Sequence, residues 1–100
     1  MRVKYKSMVL PAADVALLHE IAARHGVSRV RVFGSTARGE AGPGSDLDLL
    51  IALEPGRGFR DLMDFCEEVE EALERRVDVV LEDGLSPFIR DRVLREALAL

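Results

Sequence analysis

Two short stretches on either side of a loop decide how this chain reads: Gly34-Ser35-Thr36-Ala37-Arg38-Gly39, and Ser45-Asp46-Leu47-Asp48-Leu49-Leu50-Ile51. Gly34-Ser35 directly follows Val27 to Phe33, a run that alternates as a strand, and precedes a short helical turn interrupted by Gly39. A strand-to-helix turn with free N–H groups, a hydroxyl and no bulky side chain is a natural phosphate cradle. Asp46 and Asp48 then open a second strand, although Asp is disfavoured in strands. Residues i and i+2 share a face, about 6.5 Å apart along the strand. Two carboxylates so placed repel unless a cation lies between them, and hard oxygen ligands suit Mg²⁺ or Mn²⁺.

Outward from this stretch, helix and strand alternate. Pro11 opens a helix through Leu17, Leu18, Ile21, Ala22 and His25, and Gly26 stops it. In the strand Val27 to Phe33, Val30 and Val32 face one way and Arg29, Arg31 and Phe33 the other. Residues 40–45 form a loop by composition. Asp46 to Leu53 is the second strand, ended by Pro55-Gly56. Phe59, Leu62, Met63, Cys66, Val69 and Leu73 step at three and four residues, which predicts an amphipathic helix over 58–75 with Glu67, Glu68, Glu70, Glu71 and Glu74 on its other face. Val77 to Leu81 is a third strand, Asp83-Gly84 a turn, and Pro87 opens a last helix with Ile89, Val93, Ala97 and Leu100 on one face. The fold class is α+β, α/β-like: a small mixed sheet of about three strands packed with helices, in the order α-β-α-β-α-β-α. The long helix between the second and third strands makes those two parallel.

Parallel pairing brings in Asp78, the second residue of Val77-Asp78-Val79-Val80. A carboxylate early in an apolar, buried strand needs a partner. Beside the second strand, it lies next to Asp48. Three carboxylates near a phosphate-binding turn describe a two-metal phosphoryl-transfer site, in which one metal activates an acceptor hydroxyl and both hold the reacting phosphate.

Gly34-Ser35, ten residues, Asp46-x-Asp48, then Asp78 on the next strand resembles the polymerase-β-type nucleotidyltransferase superfamily. Gly-Ser-Thr-Ala-Arg-Gly followed by Ser-Asp-Leu-Asp-Leu-Leu resembles its smallest members, the minimal nucleotidyltransferases, over about residues 12–98. The resemblance implies a mixed sheet, ATP or another NTP as donor, Mg²⁺ and release of pyrophosphate. It further implies an antitoxin that acts on a HEPN-domain toxin, by transfer of AMP to a toxin tyrosine. On that pattern Asp46 and Asp48 bind both metals. Asp78 binds one and helps deprotonate the acceptor hydroxyl, and Gly34 and Ser35 hold the donor phosphates. Arg38 either neutralises the triphosphate or holds Asp48 or Glu40 in place.

Length and composition narrow the field. One hundred residues with 48% hydrophobic content make one small globular domain, taken as 1–100. No apolar run reaches membrane-spanning length, and no signal-peptide core follows the basic Met1 to Lys6, so the expected location is cytoplasmic. The single Cys66 excludes a disulfide framework and a multi-cysteine zinc site, and its apolar face makes it core. Residues 1–45 carry seven Lys/Arg and three Asp/Glu, a balance of +4, whereas residues 46–100 carry seven and fifteen, a balance of −8. A net −4 chain is a poor non-specific binder of nucleic acid. His19 and His25 read as surface or helix-end residues, and Ser45 as a turn or cap residue. Two other functions compete: a nucleotidyltransferase acting on a small molecule or RNA, and a non-catalytic module that binds a toxin sterically. The short chain argues against the first, because larger relatives carry an extra domain that helps hold nucleotide and acceptor. The intact carboxylate set argues against the second. The acidic face from Glu67 to Glu74 reads as a solvated helix face, or as one that steers a basic partner, and an apolar rim that includes parts of the last helix is expected to dock that partner.

Overall fold

A computed structural model describes residues 10–38 and 46–100. The basic N-terminal segment, Gly39, the loop at 40–45 and Ser45 with it lie outside the described residues. Helix α1 (Ala12–Arg24) begins after Pro11 and carries Asp14 in its first turn. It stops at His25, whose N–H bonds to the carbonyls of Ile21 and Ala22, and Gly26 follows at φ +69°. That left-handed conformation suits glycine and turns the chain into β1 (Val27–Phe33). A short helix, α2 (Gly34–Ala37), leads towards β2 (Leu47–Leu53). Then come α3 (Phe59–Leu73), β3 (Val77–Leu81), a 3-10 turn (Glu82–Gly84), α4 (Pro87–Glu96) and β4 (Leu98–Ala99). No helix among the described residues is long and apolar enough to cross a membrane.

The sheet is mixed and four-stranded, in the order β3-β2-β1-β4. β2 pairs antiparallel with β1 and parallel with β3, and β4 pairs antiparallel with β1. β2 is therefore central, and Leu47, Leu49, Leu50 and Ile51 are all at 0% exposure. This explains its near-continuous apolar run, since a strand covered on both faces does not alternate. On one face Val30, Val32, Leu47, Leu49, Ile51 and Val77 meet Leu18, Ile21 and Ala22 of α1 and Phe65 and Val69 of α3. The opposite face carries Arg29, Arg31, Asp48, Leu50 and Asp78. There Glu82 is buried, accepting from Arg29 Nη2 at 3.0 Å, and Arg90 Nη1 donates to its carbonyl at 3.2 Å.

Three readings of the sequence change. The last helix ends at Glu96, and Leu98–Ala99 form a fourth strand against Val32 and Arg31. Two residues are too few to show a strand period, and the open edge of β1 supplies the pairing. On α3 the buried residues are Phe65 and Val69, whereas Phe59 and Met63 are exposed. The apolar stripe is thus rotated towards Phe65, the largest side chain on the helix that the core can enclose. The acidic face of α3 is not wholly solvated either. Glu68 pairs with Arg24 and accepts from His25 Nε2 at 2.7 Å, and Glu70 accepts from the Val77 N–H at 3.0 Å. Cys66 is half-buried, with Sγ 3.6 Å from the Val77 carbonyl, and burial pushes its thiol up.

The rotated stripe gives a direct test. Phe65→Ala should destabilise the fold by about 3–5 kcal/mol, a large part of the roughly 5–15 kcal/mol that holds a domain together. Phe59→Ala should change stability by less than about 1 kcal/mol, being an exposed position. Urea denaturation of both variants measures this, and similar midpoints for the two would contradict the packing.

Candidate active site

The end of the sheet where β1 stops and β2 and β3 start gathers the residues singled out above. Asp46 immediately precedes β2, Asp48 is its second residue, and Asp78 is the second residue of β3. The parallel register sets Asp48 directly opposite Asp78, and the antiparallel register sets Phe33 opposite Asp48 on the other side. Phe33 hands the chain to Gly34, so the register that aligns the carboxylates also brings the Gly34-Ser35 turn beside them. Gly34 has φ +69°, and a Cβ built there would lie 2.4 Å from Asp48 Oδ2. Glycine is required both for the conformation and for this close approach. Ser35 and the buried Thr36 follow within α2, and the Arg38 N–H closes the turn on the Gly34 carbonyl at 3.1 Å.

Electrostatics single out Asp48. Its carboxyl is held above the ordinary range, first by burial, then by the charges of Asp78 and of Asp46, with Arg38 opposing. Asp46 and Asp78 are exposed. The burial argument for Asp78 therefore fails: β3 is an edge strand and Asp78 faces solvent. Its pairing with Asp48 holds. Among the described residues no group of three or more His, Cys, Asp or Glu is placed to hold a metal ion by itself. The donor chemistry nonetheless fits a hard divalent cation that takes its remaining ligands from phosphate and water. The carboxylates are all oxygen donors, and their mutual repulsion at Asp48 is the kind a cation relieves.

Arg38 has a partner that lies far away in the sequence. Its Nη1 sits 3.1 Å from Glu96 Oε1 at the end of α4. α4 thereby closes the outer side of the turn, and a cleft of about 340 Å³ lies between them, lined by Phe33, Gly34, Arg38, Arg92, Val93 and Glu96. Nothing local in the sequence signals Arg92 or Glu96, since only the folded path of α4 brings them to Gly34.

Known proteins resemble this chain in sequence and in fold. The model of the nucleotidyltransferase domain family matches residues 16–100. A Methanocaldococcus jannaschii protein, by name the protein adenylyltransferase MJ0435, is 40% identical over 75 residues, which cover 75% of this chain and 81% of that protein. The protein adenylyltransferase MntA of Thermococcus cleftensis is 38% identical over 79 residues, covering 79% of this chain and 80% of its own. A solved chain described as a minimal nucleotidyltransferase superposes with a TM-score of 0.77 at 52% identity, covering 85% of this chain and 87% of its own. A toxin-antitoxin crystal structure with AMP-PNP shares the fold, with a TM-score of 0.71 at 16% identity over 90% of this chain and 72% of that one.

The raised carboxyl of Asp48 has a consequence for stability. A group whose folded pKa exceeds its unfolded value binds more protons when folded, so stability falls as pH rises from the ordinary carboxylate range through the raised value. Asp48→Asn should therefore melt above the parent at pH 7. The gap should close as pH falls below that window. Thermal melts across pH measure it, and a variant less stable than the parent at pH 7 would contradict the repulsion.

Proposed function

The chain belongs to the nucleotidyltransferase domain family and is a nucleotidyltransferase, and from that premise we propose that it moves AMP from ATP to a hydroxyl on a partner HEPN-domain toxin, acting as its antitoxin. The observation that carries this reading is the Asp48–Asp78 register pair, with Asp46 two residues upstream and Gly34 against Asp48. The names of the two adenylyltransferase relatives support the transfer of AMP to protein. The neighbour described as a toxin-antitoxin with AMP-PNP supports the kind of partner. The same unit, residues 1–100, is taken as a single nucleotidyltransferase domain.

In this reading the acceptor oxygen attacks the α-phosphorus of ATP. The bond from that phosphorus to the oxygen bridging to the β-phosphorus breaks, and pyrophosphate leaves. The acceptor proton passes to the carboxylate of Asp78, which faces solvent and is open to an incoming hydroxyl. Gly34 and Ser35 present backbone N–H groups to the donor phosphates, and Arg38 adds positive charge beside them. Asp46 and Asp48 would hold two Mg²⁺ or Mn²⁺ ions, Asp78 sharing one. When bound, the metals lower the pKa of the acceptor and offset charge on the phosphates. A hydroxyl held by a docked protein also needs a contact surface. Phe88 on α4 is 98% exposed and Ile89 beside it is exposed, which supports docking on that helix. With Glu68 and Glu70 already engaged, steering of a basic partner falls to Glu67, Glu71 and Glu74.

Intact-mass measurement tests the proposal. The toxin incubated with ATP, Mg²⁺ and this protein should gain one or more AMP units, and Asp46→Ala should abolish the gain. Toxin inhibition with no mass change, unaffected by Asp46→Ala, would replace catalysis with steric binding. In the same assay Gly34→Ala should slow transfer about 100-fold, because an added methyl displaces the Asp48 carboxylate. Transfer at the parent rate would show that the close approach is not needed.

A further inference from the structure

The cleft beside Gly34 contains a cation that the mechanism has not used. Arg92 lines it together with Phe33, Gly34, Arg38, Val93 and Glu96. Arg38 is already paired with Glu96, whereas Arg92 has no ion-pair partner among the described residues. Arg92 and Glu96 are four residues apart on α4 and so share a helix face. Asp46, Asp48 and Asp78 do not line this cleft. Gly34 joins the two regions, lying against Asp48 on one side and lining the cleft on the other.

We infer that Arg92 is a donor-binding residue, gripping the terminal phosphates of the nucleoside triphosphate together with Arg38. The inference rests on the reading of the Gly34 turn and its carboxylates as the donor site. A donor whose reacting phosphate sits at the carboxylates and whose chain crosses Gly34 must place its far end in this cleft. Charge decides which end that is. The phosphates beyond the reacting one need positive charge around them, and the site lies in a chain of net charge −4. Two guanidinium groups against one carboxylate give the cleft a local positive balance. Guanidinium forks match phosphate oxygens in pairs, so a second Arg adds both charge and orientation. The Arg38–Glu96 pair is exposed on both sides, at 48% and 39%, and such surface pairs are weak. Arg38 can exchange Glu96 for phosphate, and Arg92 then offsets the charge of the Glu96 carboxylate left beside it. The cleft, at about 340 Å³, lies near the lower end of the roughly 300–1,000 Å³ typical of ligand sites, which suits a phosphate tail.

Equilibrium titrations with ATP, ADP and AMP in the presence of Mg²⁺ test this on the full chain, using the parent, Arg92→Ala, Arg92→Lys and Arg38→Ala. Arg92 is exposed, so its replacement leaves the core untouched. Arg92→Ala should weaken ATP about tenfold, equivalent to about 1.4 kcal/mol, and leave AMP within about twofold. Arg92→Lys should recover part of the loss. Equal weakening of ATP and AMP would overturn the inference by placing the adenosine end in the cleft. Unchanged ATP binding in Arg92→Ala, while Arg38→Ala loses affinity, would overturn it and leave the donor-site reading intact. A parent protein that binds none of the three nucleotides would overturn that reading and this inference with it.

Discussion

A pair of like charges set side by side is the constraint on which the site depends. Asp48 and Asp78 stand opposite each other at the heads of two parallel strands, with Asp46 beside them. Left to themselves the strands would shift to part the carboxylates. They are held because the residues on either side are locked in the same register: Leu47 with Val77, Leu49 with Val79, Ile51 with Leu81. These apolar pairs are packed under α1 and α3. A one-residue slip would turn every one of them to the wrong face. The hydrophobic core thus sustains a repulsion between neighbouring carboxylates that nothing in the strands themselves relieves.

Gly34 tightens the same constraint from the other side. The antiparallel register of β1 ends Phe33 opposite Asp48, so the turn that follows has nowhere to go but against that carboxylate. Its positive φ and absent side chain let the backbone come so close that a Cβ there would push the Asp48 carboxylate aside. The Gly34 turn and the carboxylates of Asp48 and Asp78 are in this way brought together by the registers of one sheet.

Most of this was legible in the sequence because it is local. Alternation in Val27 to Phe33, the apolar run after Asp46 and the stop at Gly26 each have a short-range cause, and the structure keeps them. Asp-x-Asp stood out because Asp is disfavoured in strands, and the register does place Asp48 opposite Asp78. What the sequence hid depends on distant neighbours. Phe65 lies one position outside the stripe drawn through Phe59 and Met63, and only the depth of the core decides between the two. The exposure of Asp78 follows from β3 being an edge strand, which is a matter of sheet order. Arg38 finds Glu96, and Arg29 finds Glu82, across 58 and 53 positions, and long-range ion pairs leave no periodic trace.

α4 is the element with least to hold it. None of its residues is buried. It is capped by Ser86 and tied near its start, where Arg90 Nη1 donates to the Glu82 carbonyl, and it is held at its end, where Leu98–Ala99 pair with β1. Between those anchors it rests on exposed ion pairs and partly buried apolar side chains. Elements of this kind open at a small fraction of the global unfolding energy. The helix therefore behaves as a strap fastened at two buckles. Phe88, near one fastening, and Arg92, which lines the cleft, are four residues apart on it, so a body that covers Phe88 stands about one helical turn from the cleft.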